Sequence, residues 1–275
     1  MPITGKASGT RRGNKTLTYS PNSRCGILNR MDRESNEFDE LFVPFDVKAR
    51  PLPPDVGLSP PRFFPPPTAT TADGLLCVGG RLAPEWLLDA YRHGIFPWPM
   101  WEEEPIAWWS PDPRAIIELD GFHISRRLQR TLRSGKFTVT RDRDFAGVIH
   151  GCATAGDRAG NTWLTPGMIV AYRRMHALGH AHSVEVWLDR ELVGGTYGIA
   201  IGGFFAAESM FHLVRDASKV AVAHLVAHLQ TRGYELLDVQ QWTPHTGRIG
   251  AIEIPRADYL KRLARAVKQP LTFGA

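Results

Sequence analysis

Three side chains in this sequence could do chemistry together. Glu208 closes a long uncharged stretch, residues 192–207, rich in glycine, alanine and aromatic rings. A carboxylate at the end of an apolar strand needs a partner if it is buried. Further on, Asp238 and Gln240 stand in Leu236-Leu237-Asp238-Val239-Gln240. Side chains of a strand alternate with a period of two, which predicts that these two share a face. We expect Glu208, Asp238 and Gln240 to line one pocket. Such a set can supply charge, orient a ligand through the amide and take up a proton.

The elements that must position them are readable from spacing. Residues 191–211 hold five glycines among apolar residues and predict two buried strands, then a turn into a helix. Val220, Ala223, Leu225, Val226 and Leu229 recur at helical spacing over 218–232, and 234–240 reads as the strand carrying Asp238. Helices are also predicted over 125–134, 145–152, 166–178 and 256–267, with strands over 115–119, 137–140 and 181–188. Upstream, 74–80 reads as a strand, and a helix opens at Pro84 and ends at Gly94. The proline-rich stretches 95–99 and 106–114 read as stiff connectors carrying aromatic rings. The expected fold class is α+β with a mostly antiparallel sheet. The expected division is a disordered leader over 1–61, a small N-terminal α/β domain over 62–114 and a catalytic domain over 115–275.

The totals narrow the function classes. A net charge of +5 and a pI near 9.3 suit an anionic partner. Eight tryptophans offer rings that stack on bases. Cys25, Cys77 and Cys152 have neither metal-ligand nor paired spacing, which predicts a reducing compartment and no disulfide framework. With no bilayer-length apolar run and no secretory segment, a cytoplasmic protein without membrane contact is expected. Neither dinucleotide nor phosphate-loop glycine patterns stand between a strand and a helix. His180 and His182 straddle Ala181 without an evident third ligand, so no metal is expected. No heptad or repeat offers an interface, which predicts a monomer.

Seven strings, in order, resemble one known family, the leucyl/phenylalanyl-tRNA–protein transferases. They are Tyr91-Arg92-His93-Gly94-Ile95-Phe96-Pro97-Trp98; Trp108-Trp109-Ser110-Pro111-Asp112-Pro113-Arg114; His123-Ile124-Ser125-Arg126; residues 179–187, GHAHSVEVW; Leu192-Val193-Gly194-Gly195; Glu208-Ser209-Met210-Phe211; and Ala217-Ser218-Lys219. The likeness runs from about Phe63 to Val267. It implies an enzyme that takes leucine or phenylalanine from leucyl-tRNA or phenylalanyl-tRNA and joins it to the N-terminal Arg or Lys of an acceptor protein, marking that protein for N-degron degradation. It also implies an acetyltransferase-like (GNAT-like) C-terminal domain and no cofactor.

The resemblance further implies roles. Asp238 and Gln240 fall where the family has its catalytic Asp and Gln, and Glu208 where it contacts the bound aminoacyl end. Phe205, with Thr196 and Leu237, would form the apolar hole for the donor side chain. Thr196 is smaller and more polar than the residue expected there, which would alter preference among Leu, Phe and Met. Trp98 and Trp163 match an aromatic clamp for the terminal adenine, with Tyr91 beside it. Arg126, Arg130 and Arg133 match a positive patch facing the acceptor stem. Two other classes compete on the residues alone. An acyl-CoA-dependent N-acyltransferase would need a pyrophosphate loop entering a helix, of which Arg248-Ile249-Gly250-Ala251 is a fragment. A non-catalytic RNA-binding module would leave Glu208, Asp238 and Gln240 without a task.

Overall fold

The computed structural model describes residues 43–44, 57–99, 105–156 and 162–274. All of them belong to one compact unit, Asp39–Ala275. Most of the expected leader, 1–61, lies outside the described residues.

Two sheets divide the chain between Trp109 and Arg114. The first has four strands in the order β1 (Val43–Pro44), β2 (Leu75–Val78), β4 (Ala107–Trp109) and β3 (Phe96–Pro97). Here the connector reading is corrected: Phe96 pairs with Trp109 and Pro97 with Trp108. Proline is tolerated because β3 is an edge strand, where a missing N–H costs no ladder bond. Helix α1 (Pro84–Arg92) lies between β2 and β3 in the chain and carries proline in its first turn.

The second sheet has seven strands, β11 (Ala251–Ile254), β5 (Arg114–Ile117), β10 (Leu236–Gln240), β9 (Phe204–His212), β8 (Glu191–Ile201), β7 (Ala181–Leu188) and β6 (Thr138–Arg141), in that order across it. Every pairing is antiparallel except β9 with β10, which is parallel. The α+β, mostly antiparallel expectation is met. The sequence reading missed β11 and the short helix α6 (Pro244–Gly247).

Period-two alternation sends neighbouring residues into two cores. Ile116, Ile199, Phe204 and Leu236 face one core with Leu87 and Tyr91 of α1, Val148 of α3 (Phe145–Thr154), Tyr172 of α4 (Pro166–Ala177) and Tyr259 of α7 (Arg256–Ala266). Ile117, Ala200, Phe205 and Leu237 face the other, with Leu128 of α2 (Arg126–Arg133) and Val222, Leu225 and Leu229 of α5 (Ala217–Arg232). Among the described residues no helix is long and apolar enough to cross a membrane.

Candidate active site

The site sits where β9 and β10 part. Their parallel register runs through Leu236 with Phe204, Leu237 with Phe205 and Asp238 with Ala206, and then stops. β9 continues to His212 and β10 to Gln240, so a cleft opens between two diverging strands. Two irregularities aim side chains at it. On β9, Tyr197 pairs with Ser209 and Gly198 with Ala207, which leaves Glu208 as a bulged residue without a partner across the ladder. On β10, Asp238 pairs with Ile116 and Gln240 with the adjacent Ala115, so Val239 is extra and regular alternation ends there. Gln240 then has φ of 60°, a left-handed conformation that costs a non-glycine residue on the order of 1 kcal/mol or more. The result is direct contact: Gln240 Nε2 donates to Glu208 Oε1 at 2.9 Å.

The other Glu208 oxygen is held from the opposite side. Tyr172 donates its hydroxyl to Oε2 at 3.0 Å, and Tyr91 and Tyr172 hydroxyls stand 2.8 Å apart. Because Tyr172 spends its one proton on Glu208, Tyr91 is the donor in that pair. Burial pushes the Glu208 carboxyl up to about 7, against the two tyrosine hydroxyls, which favour the ionised form, and with the nearby Asp238 charge, which opposes it. Both tyrosines are themselves held well above the usual phenol range, by burial first and by the Glu208 charge second.

Asp238 is fully buried, and all its acceptor positions are occupied. Oδ1 accepts from Arg114 Nε and from the Gln240 backbone N–H, both at 2.9 Å. Oδ2 accepts from Arg114 Nη2 at 2.7 Å and from the Tyr259 hydroxyl at 2.8 Å. Arg114 is buried too; Nη1 donates to the Gly94 carbonyl at 3.1 Å, and the rings of Phe96 and Tyr259 each lie 4.7 Å from its guanidinium carbon. Burial, the largest single influence, works to lower the Arg114 pKa, but the Asp238 charge and hydrogen bonds together with Tyr259 and Glu208 hold the guanidinium above its ordinary value. Gly94 has a φ of 72°, and a Cβ there would stand 2.8 Å from Tyr259 Cε1, so this close approach needs glycine.

Glu208, Asp238 and Gln240 therefore meet, with Asp238 reaching the other two through the Gln240 backbone. Tyr91 joins them through Tyr172, in the same core cluster against which Trp163 packs. Thr196, Phe205 and Leu237 are all buried on the α5 face, away from the tyrosines, and Thr196 Oγ1 donates to the Ser209 carbonyl at 2.9 Å. Partly buried Ala207, Met210 and Val239 pack against that core. Trp98 and Trp163 stack on each other, centroids 4.5 Å apart and planes 13° from parallel, and Trp98 is 41% exposed. Trp109 Nε1 donates to the Trp98 carbonyl at 3.0 Å and fixes its backbone. Arg126, Arg130 and Arg133 are exposed on α2 and make no ion pair among the described residues. Residues 248–251 run from α6 into β11, so no helix N-terminus follows them. Sequence reasoning gave no role to Arg114, Tyr172 or Tyr259. The available signal was chemical: a guanidinium or hydroxyl inside an apolar pattern must find a partner.

A family model described as leucyl/phenylalanyl-tRNA protein transferase matches residues 116–264, and that of the same family's N-terminal domain matches residues 80–112. The chain is 54% identical over 212 residues to the leucyl/phenylalanyl-tRNA–protein transferase of Solidesulfovibrio magneticus, covering 77% of this chain and 85% of that one. It is 51% identical over 213 residues to the protein of that name from Nitratidesulfovibrio vulgaris, covering 77% and 91%. Among solved structures it overlaps a ribosomal-protein-alanine N-acetyltransferase from Brucella melitensis biovar Abortus 2308, at 16% identity and a TM-score of 0.30, covering 41% of this chain and 85% of that one. An overlap that weak says nothing about activity.

Proposed function

The chain belongs to the leucyl/phenylalanyl-tRNA protein transferase family, and from that premise we propose that it transfers leucine or phenylalanine from charged tRNA to the N-terminal Arg or Lys of acceptor proteins, marking them for degradation. The observation that carries this reading is the Glu208–Gln240 bond where β9 and β10 diverge. It puts an amide and a carboxylate that titrates near neutrality side by side in a cleft.

The reaction is aminolysis of an ester. The acceptor amine attacks the aminoacyl carbonyl carbon, the bond to the ribose oxygen breaks, and a proton leaves nitrogen as that oxygen gains one. An N-terminal amine has a reference pKa of about 8, so a neighbouring carboxylate both attracts its cationic form and helps remove the proton. Glu208 is suited to this because its pKa lies near that of the amine. Gln240 is bonded to Glu208 through Nε2, which leaves Oε1 to accept from the amine and orient it. Asp238, with every acceptor position taken, acts as the anchor that fixes the Gln240 backbone. Since the ester is already activated, positioning supplies much of the rate.

A donor side chain entering between the diverging strands would pass Ala207 and Val239 to reach Phe205, Leu237 and Thr196. Apolar holes discriminate by only about 1–3 kcal/mol per methylene, which fits shared use of leucine and phenylalanine. The terminal adenine would part the Trp98–Trp163 stack and take its place between the rings, and the α2 arginines would meet phosphates.

The test is transfer of labelled leucine from leucyl-tRNA to a protein beginning with Arg, with one beginning with Ala as control. Wild type should label the first and not the second. Gln240→Ala and Glu208→Gln should each lose about a hundred-fold or more in kcat/KM. Asp238→Asn should lose activity by displacing Gln240. No transfer by folded wild type, with phenylalanine and methionine donors also tried, would sink the reading.

A further inference from the structure

The chain beyond α7 is tied back under the second sheet. Gly203 N–H donates to the Ala266 carbonyl at 2.8 Å, Arg232 Nη2 donates to the Thr272 carbonyl at 3.1 Å, and His228 Nε2 lies 2.8 Å from the Phe273 carbonyl oxygen. These contacts deliver Phe273 into the α5-side core, where its ring is 1% exposed. The ring stacks on His182 of β7, centroids 4.4 Å apart and 15° from parallel, and meets Phe205 of β9 at 5.6 Å. A side chain that touches β7 and β9 at once lies across β8.

The register explains the space. His182 pairs with Gly198, and Gly198 with Ala207, so the α5 face of β8 has no side chain at that row. Phe205 leans over the same place: a Cβ at Gly198 would stand 2.5 Å from its Cε1. The cleft opens on the other side of β9, toward β10. Phe205 therefore stands between the cleft and Phe273, and Phe273 fills the room into which Phe205 would otherwise retreat.

We propose that Phe273 is the back wall of the donor side-chain hole, a positioning residue that fixes Phe205 and so sets how large a donor side chain is accepted. This rests on the reading of Phe205, Leu237 and Thr196 as that hole. A smaller residue at 273 lets the Phe205 ring move back, which deepens the hole: phenylalanine fits better and leucine packs less closely.

The experiment measures kcat/KM with leucyl-tRNA and with phenylalanyl-tRNA, on an acceptor beginning with Arg, for wild type, Phe273→Leu, Phe273→Ala and Thr196→Met. Thermal unfolding of each variant runs alongside. Phe273→Leu should shift the phenylalanine-to-leucine ratio about tenfold toward phenylalanine. Loss of packing alone lowers both rates together and leaves the ratio unmoved. If Phe273→Ala does not fold, Phe273→Leu and Phe273→Tyr carry the test, the latter with the opposite shift. An unchanged ratio in folded Phe273 variants, with Thr196→Met shifting it, overturns the proposal while the hole stands. An unchanged ratio in all of them removes the hole and this inference with it.

Discussion

At the scale of single residues, the cleft separates two carboxylates by their surroundings. Asp238 is matched at every acceptor position by Arg114, Tyr259 and a backbone N–H, whereas Glu208 is met by neutral hydroxyls and an amide. The consequence for stability has a definite sign. Burial raises the Glu208 carboxyl from 4.5 to about 7, so between those values the folded chain keeps a proton that the unfolded chain has released. The Glu208 contribution is complete below pH 4.5, is lost as pH rises to about 7, and is flat above. At about 1.36 kcal/mol per unit it is on the order of 3 kcal/mol. Urea unfolding of wild type should show greater stability at pH 5 than at pH 8, and Glu208→Gln should show that difference reduced. An identical pH dependence in the two proteins would mean that Glu208 titrates as an ordinary exposed acid. The sequence showed that Glu208 and Asp238 needed partners. It did not show which, because the Arg114–Asp238 pair spans 124 positions.

At the scale of elements, the site depends on how β8, β9 and β10 depart from regularity. Phe205 and Leu237 share the buried α5 face, and nothing in the spacing marked the bulges at Glu208 and Val239. The β9 bulge resets the phase by one residue: Phe204 and Ala206 face the α1 side, and beyond Glu208 it is Phe211, not Met210, that does so. Gly198 makes the first bulge possible, since a Cβ there would overlap the Ala206 carbonyl oxygen. Gly198→Ala should cost about 1–3 kcal/mol through overpacking and strand displacement. A lowered Tm together with a fall in transfer below that of an equally destabilised variant on the outer face of α5 would show that this row positions the cleft. A fall in Tm alone would confine Gly198 to packing. The proline stretches teach a related lesson: a fixed φ reads as a connector, yet it also suits an edge strand, and only the neighbouring β4 decides between them.

At the scale of the whole molecule, the proposal is that a basic chain meets tRNA through the exposed arginines on α2 and the stacked tryptophan pair. Replacing Arg126, Arg130 and Arg133 with alanine should weaken leucyl-tRNA binding and flatten its salt dependence, by about 0.7–0.9 in the log–log slope for each phosphate no longer neutralised. Anisotropy titrations across salt concentrations measure this, and an unchanged slope would place the RNA elsewhere. By itself the sequence determined the α+β class, the hairpin, the long helix α5 and the need of Glu208 and Asp238 for partners. These are properties of local period and of the cost of burying charge, and both are carried by neighbouring residues. Only the tertiary structure decided that Arg114 holds Asp238, that Tyr91 and Tyr172 hold Glu208, and that Phe273 backs Phe205. Those contacts join residues far apart in the chain, and they are set by where β9 and β10 diverge and how the last segment folds back, which no local pattern encodes.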